Sequence, residues 1–159
     1  MLLNNGVFGE TGGHMTATSV LGQRTKTTMT TGRVPELHGW PIRIADLLAQ
    51  IDGAAYVARG SMHTPAAIKW TKQCLRDAFA AQLDGRGFSF VEILTMCPTG
   101  WFIPTGEGPD YLHETLGEVH VMGELKVDGR VKTTDELHAE NVARQREVEA
   151  RLAAGGLDR

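Results

Sequence analysis

Apolar positions recur along the middle of the chain in two rhythms, one helical and one extended. Ile42, Ile44, Ala45, Leu47, Leu48 and Ile51 fall at helical spacing, with Gly53 after them, so the pattern predicts a helix from Trp40 to Asp52. Ala54 to Gly60 is a short continuous apolar run and predicts a strand. Thr64-Pro65 then opens a second helix, since threonine caps and proline fits a first turn. That helix runs to about Leu83, with Ala66, Ile68, Trp70, Cys74, Leu75, Ala78, Phe79 and Leu83 largely on one side. Asp84 to Gly87 breaks it, and Phe88 to Leu94 is a strand of strong β formers. A strand–helix–strand unit of these lengths implies parallel pairing through a crossover helix.

The flanks have a different texture. Residues 6–32 hold six glycines and eight threonines with neither period, which predicts a long irregular segment, functional or disordered. Cys97 to Pro109 is rich in proline and glycine and predicts a loop. Val119 to Val131 predicts two short strands joined at Asp128-Gly129. Thr133 to Ala154 predicts a polar helix opened by a capping box of Thr133 and Glu136. Its larger apolar residues are few (Leu137, Val142, Val148, Leu152), so it reads as a tail against a partner or a solvated arm. The expected fold class is α/β: a mostly parallel sheet flanked by helices, with a small β-hairpin and a C-terminal helical tail. The expected domains are 1–105 and a tail at 106–159 for subunit contact.

Composition narrows the function. The chain has 159 residues, 42% of them hydrophobic and 22% charged, which excludes a disordered chain and a cysteine scaffold. A net charge of −3 argues against nucleic acid as the main partner. No apolar run approaches a membrane span, and the first residues do not read as a signal peptide, so the expected location is cytoplasmic. Cys74 and Cys97 form no paired motif and read as free thiols or a metal ligand.

Candidate chemistry starts at Asn4-Asn5-Gly6-Val7-Phe8-Gly9-Glu10-Thr11-Gly12-Gly13, just after a possible strand end at Leu2-Leu3. Loops at the carboxyl ends of parallel strands bind ligands. Glycines let amides approach phosphate, and carboxamide oxygens suit a hard cation. The segment is not a P-loop, because His14 stands where that motif needs lysine. A surface loop is the alternative. Elsewhere no His-x-x-x-His spacing occurs, and Trp40, Trp70 and Trp101 read as core or subunit contacts.

The same segment, with Leu21-Gly22-Gln23 after it, resembles the thiamine-diphosphate-binding β subunit of 2-oxoacid:ferredoxin oxidoreductases. So do Gly39-Trp40-Pro41-Ile42-Arg43, Ala55-Tyr56-Val57-Ala58-Arg59, and Gly87 to Leu94 followed by Cys97-Pro98-Thr99. The resemblance covers about residues 2–105 and fits the C-terminal portion of such a subunit. It implies a partial thiamine-diphosphate-binding fold. It implies that Asn5 gives its side-chain oxygen, and Val7 its backbone oxygen, to Mg²⁺. Gly6, Val7, Phe8, Gly9, Glu10 and Thr11 would lie along the cofactor, with Glu10 near the thiazolium ring. Cys97 would be one thiolate of a 4Fe-4S cluster, the rest lying upstream. Coenzyme A, ferredoxin, an α subunit and a γ subunit are the implied partners. Gly12, where members acting on 2-oxoglutarate often carry lysine, implies a neutral-chain 2-oxo acid such as 2-oxoisovalerate.

The chain departs from the family pattern in having no Gly-Asp-Gly and no Cys-x-x-Cys. A missing N-terminal half of the subunit is therefore expected as a partner, with the isolated chain inactive. The alternatives are a non-catalytic remnant or interaction module, and an unrelated phosphate-binding module.

Overall fold

In a computed structural model, the described residues are 1–153, the side chain of Leu152 excepted. Three neighbouring strands run parallel: β1 (Leu2–Asn4), β5 (Phe88–Leu94) and β4 (Ala54–Ser61). The last two are the strands expected from the apolar runs. Between β1 and β4 come two-residue strands β2 (Val7–Phe8) and β3 (His14–Met15), then helices α1 (Pro35–His38) and α2 (Ile44–Ala49). Helix α3 (Pro65–Leu83) links β4 to β5, and the Thr64 hydroxyl caps it by accepting from Ala67 N at 3.1 Å. After β5 come α4 (Pro98–Trp101), a 3₁₀ turn (Thr105–Glu107), α5 (Gly108–Tyr111), a π turn (Leu112–Leu116) and α6 (Gly117–Val119). A hairpin of β6 (Gly123–Val127) and β7 (Arg130–Val131) and helix α7 (Thr134–Ala153) follow.

The five-stranded sheet has the order β1-β5-β4-β6-β7, with β6 antiparallel to β4. This is the expected α/β class with a mostly parallel sheet flanked by helices. Alternation along β4 serves two cores. Tyr56 and Ala58 pack with Cys74, Ala78, Val91 and Ile93 under α3. Val57 packs on the opposite face with Ala45, Ala49, Leu125 and Leu137.

Several expectations need correction. The helix expected over Trp40–Asp52 is only α2, and its buried side is Ala45 and Ala49, while Ile42, Leu47 and Ile51 are exposed. Its start is held back because Ile42 N donates to Ala17 O at 2.8 Å, tying this stretch to the loop before it. Helix α3 has the expected ends; of its expected inner face Cys74 and Ala78 are buried and Trp70 and Leu75 pack against the core, while Ala67, Thr71 and Ala81 are buried besides. Small residues are required there because the helix lies close on β4, where a Cβ at Gly60 would run into the Thr71 side chain. Phe79 and Leu83 stand exposed instead.

The expected loop at 97–109 contains α4, the 3₁₀ turn and the start of α5, with prolines in the first turns of both helices. The hairpin begins at Gly123, not Val119, which ends a helical stretch. The capping box forms as expected: Thr133 N donates to Glu136 Oε2 at 2.7 Å and Glu136 N to Thr133 Oγ1 at 3.2 Å. The helix it opens is neither a free arm nor waiting for a partner along its first half. Leu137 is buried against β6, Asn141 Nδ2 donates to Met122 O at 2.8 Å, and Arg144 lies over the Trp70 ring at 4.5 Å. Ala154, the expected last helical residue, and the rest of the expected tail lie outside the described residues. The hairpin expected in the 106–159 tail is part of the main sheet.

Candidate functional site

Asn4 pairs with Leu94, so β1 and β5 end side by side. Thr95 N continues the pairing by donating to Asn4 O at 2.9 Å. The loops that leave the two strands therefore face each other. Between them lies a cleft of ≈ 530 Å³, walled by Asn5, Gly9, Glu10, Gly12 and Gly13 on one side and Cys97, Thr99, Gly100 and Phe102 on the other. It sits at the carboxyl edge of the parallel strands, where α/β sheets bind ligands.

The two asparagines at the head of the loop do different work. Asn4 is buried and spent: its Nδ2 donates to Glu92 Oε1 at 2.7 Å, and its Oδ1 accepts from Gly6 N at 3.0 Å and Thr18 Oγ1 at 2.7 Å. Asn5 faces the cleft, and its Oδ1 accepts from Val7 N at 3.1 Å. A carboxamide oxygen has two lone pairs, so Asn5 keeps one for a ligand. Further contacts pin the same turn. Ser19 Oγ donates to Gly6 O at 2.6 Å, and Trp101 Nε1 donates to Asn5 O at 2.7 Å. Gly6 has φ +65°, and a Cβ there would stand 2.9 Å from Gln23 Oε1, so only glycine fits.

Of the residues named from sequence, the structure brings Asn5, Gly9, Glu10 and Cys97 to the cleft. Gly6 is buried beneath it. The Val7 side chain belongs to the core with Leu94 and Trp101. Phe8 is exposed, and the Thr11 hydroxyl is turned to Phe8 O at 3.2 Å. Cys97 faces Gly9 so closely that a Cβ at Gly9 would lie 3.0 Å from its Sγ.

The fit to the implied groups differs between them. The Asn5 oxygen and the glycine-lined wall suit a hard cation bound with an anionic ligand. A 4Fe-4S cluster needs four thiolates, and the sequence has two cysteines. Cys74 is buried on the inner face of α3 among Tyr56, Ala58 and Val91, outside the cleft lining, and burial pushes its thiol up to about 11. The chain thus does not fit a whole cluster. Among the described residues no group of three or more His, Cys, Asp or Glu could hold a metal.

Sequence reasoning missed the polar framework around the cleft. Arg33 is 4% exposed and meets no carboxylate among the described residues. Its guanidinium donates to six carbonyls, those of Thr16, Ala17, Ser19, His38, Gly39 and Trp40, at 2.8–3.1 Å. It also missed Arg59 and Glu92, paired at 2.8 Å on neighbouring strands, with Asp46 Oδ2 2.6 Å from Arg59 Nη2. The available signal was a single charge inside each of two otherwise buried strands. His120 is fully buried beside them. Its Nε2 meets Thr18 O at 2.9 Å and its Nδ1 has no partner among the described residues. Burial, then the Arg59 charge, holds its pKa below the ordinary histidine value. At the end of β4, His63 stacks on His113 with ring centres 4.7 Å apart, and its Nδ1 is 2.8 Å from Ser61 Oγ. Burial and the neighbouring His113 lower the His63 pKa too.

Comparison with known proteins gives these residues a context. Over 97 residues the chain is 37% identical to the ketoisovalerate oxidoreductase subunit VorA of Methanothermobacter thermautotrophicus, a match covering 61% of this chain and 20% of that protein. The VorA subunit of Methanothermobacter marburgensis matches to the same extent. Over 99 residues it is 36% identical to the 2-oxoglutarate synthase subunit KorB of Archaeoglobus fulgidus, covering 62% of this chain and 32% of that protein. No family model matches the chain, and no solved structure does. The chain spans between about a fifth and a third of the length of these relatives. Over some three fifths of its own length it is homologous to subunits of the 2-oxoacid oxidoreductases.

Proposed function

We propose that the chain is a portion of the thiamine-diphosphate-binding β subunit of a 2-oxoacid:ferredoxin oxidoreductase, and that the cleft between residues 5–13 and 97–102 is its part of the active site. The observation that carries this reading is the position of Asn5. It lines a glycine-walled cleft at the carboxyl edge of parallel strands, with one oxygen lone pair unspent. When bound, thiamine diphosphate supplies the carbanion chemistry that decarboxylates a 2-oxo acid. Asn5 would hold the Mg²⁺ that neutralises the diphosphate, together with the Val7 carbonyl. Gly9, Gly12 and Gly13 leave room for the cofactor against the backbone. The Glu10 carboxylate and the Thr99 hydroxyl line the same walls and offer a proton acceptor and a hydrogen-bond donor. Cys97 contributes one thiolate to a cluster completed by other parts of the subunit.

The acyl product passes to coenzyme A and the electrons to ferredoxin, in a cytoplasmic complex with an α subunit and a γ subunit. Among the described residues no helix is long and apolar enough to cross a membrane. Further chain is expected beside β1, an edge strand of the described sheet with Leu3 exposed. The 106–159 stretch serves as the subunit-contact part. Dependence on those neighbours makes the isolated chain inactive. Because the same exposed surface also suits an interaction module, activity is what separates the two readings.

The substrate's side chain bears on the rim at Gly12. That rim is not uncharged, because Lys26 Nζ lies 3.6 Å from where a Gly12 Cβ would be. An acidic side chain is therefore admissible as well as the neutral one inferred from Gly12 alone.

The test is reconstitution of this chain with the rest of the subunit and the α and γ subunits. Ferredoxin reduction is then followed with 2-oxoisovalerate and with 2-oxoglutarate. Turnover that needs coenzyme A and falls at least about tenfold on Asn5→Ala, as expected for losing a metal-binding oxygen, supports the reading. A folded complex with no turnover on any 2-oxo acid leaves the interaction module.

A further inference from the structure

Strands β4 and β5 are buried almost throughout, yet each carries one charge. Arg59 and Glu92 are direct partners in the parallel register, 1% and 0% exposed. An apolar pair of similar volume would join two strands with less desolvation. Their contacts give a reason for the charges.

Glu92 divides its two oxygens. Oε2 accepts from Arg59 Nε at 2.8 Å, and Oε1 accepts from Asn4 Nδ2 at 2.7 Å. The acceptor fixes which end of the Asn4 carboxamide is nitrogen, and so turns its oxygen the other way. There it receives Gly6 N and the Thr18 hydroxyl. A flipped carboxamide would set acceptor against acceptor at Glu92 and donor against donor at Gly6. Arg59 cannot drift either, because its Nη2 donates to Asp46 Oδ2 on α2 and its Nη1 to Val121 O. One buried chain of contacts thus runs from α2, through two strands, into the turn that carries Asn5.

We propose that Glu92, held by Arg59, is a positioning residue for the cleft: it orients the Asn4 carboxamide, and through it the turn that aims Asn5 at the ligand. The identity of that ligand rests on the function proposed above. The coupling from Glu92 to the turn does not.

The experiment uses the ¹⁵N-labelled full chain and hydrogen exchange at single amides. Glu92→Gln keeps the shape but replaces one acceptor with a donor, so either Arg59 or Asn4 loses its partner. Exchange at the Gly6 amide is expected to rise at least about tenfold more than at Ala58 and Val91, the size of one lost buried hydrogen bond. Equal acceleration at all three would mean that Glu92 only stabilises the sheet, and would overturn the proposal. Should Glu92→Gln fail to fold, Thr18→Val decides. It removes the hydroxyl on Asn4 Oδ1 and leaves the ion pair alone, and a smaller acceleration confined to the turn is expected. No local change there would also overturn the proposal. In the reconstituted complex, Mg²⁺ with thiamine diphosphate is the probe, and Glu92→Gln should weaken its binding about tenfold. A wild-type complex that ignores the probe refutes the functional reading, while the exchange result still decides the positioning role.

Discussion

Two parts of this molecule are held together by opposite means. The β4–α3–β5 unit rests on apolar burial shared among many small contacts, with Tyr56, Ala58, Cys74, Ala78, Val91 and Ile93 in one cluster. The segment from Asn5 to Trp40 buries few apolar side chains and is held by single polar contacts. Arg33 gathers six carbonyls, and hydroxyls close the local turns: Thr16 N on Ser19 Oγ at 2.8 Å, Thr25 N on Thr28 Oγ1 at 3.0 Å. Burial is distributed and tolerant, whereas a polar scaffold is specific and fails at single points. The cleft wall that carries Asn5 belongs to the second kind.

The sharpest way to break this contrast is Arg33→Met. It leaves buried carbonyls without donors and should cost about 3 kcal/mol or more. Limited proteolysis should then cut between residues 16 and 40 while 54–94 stays protected. Uniform cleavage across both parts would erase the distinction. Gly60→Ala attacks the other region by pushing a Cβ into Thr71. Overpacking of this kind costs about 1–3 kcal/mol, read as a lower urea midpoint, and the cleft loop should be unaffected.

Acidification comes next. His63 and His120 both have lowered pKa values when folded, so the unfolded chain takes up protons first. Their stabilisation is full above the ordinary value of 6.5 and is lost as pH falls through the lower folded values. Urea midpoints should drop between neutral and mildly acidic pH, and less so in His120→Gln. A rise on acidification would contradict the assignment. The smallest effect is expected at the start of α7, away from both regions. Thr133→Ala removes one half of the capping box and should cost about 1 kcal/mol with no change at the cleft.

The sequence made the distributed region legible and the polar one much less so. Apolar runs and the Thr64-Pro65 start located β4, α3 and β5 because burial leaves a periodic trace. On α3 the pattern puts Cys74 and Ala78 inside, as the structure has them, but also Phe79 and Leu83, which are exposed because close packing at Gly60 selects small residues over large ones. Asn5, Gly9, Glu10 and Cys97 were named through family resemblance, and the structure gathers them at one cleft. Arg33, Glu92 and Thr18 were not found, since a side chain that bonds a distant carbonyl or carboxamide leaves no period. The one trace was a lone charge inside each buried strand, at Arg59 and Glu92.

The central claim is that Asn5, and not its neighbour Asn4, meets the ligand. The most direct measurement follows the two side-chain amides by ¹⁵N resonance in the reconstituted complex during titration with Mg²⁺ and thiamine diphosphate. The account predicts that the Asn5 amide shifts as the ligand binds while the Asn4 amide, already spent on Glu92, stays near its starting position. A bound ligand that leaves the Asn5 amide unmoved would contradict it.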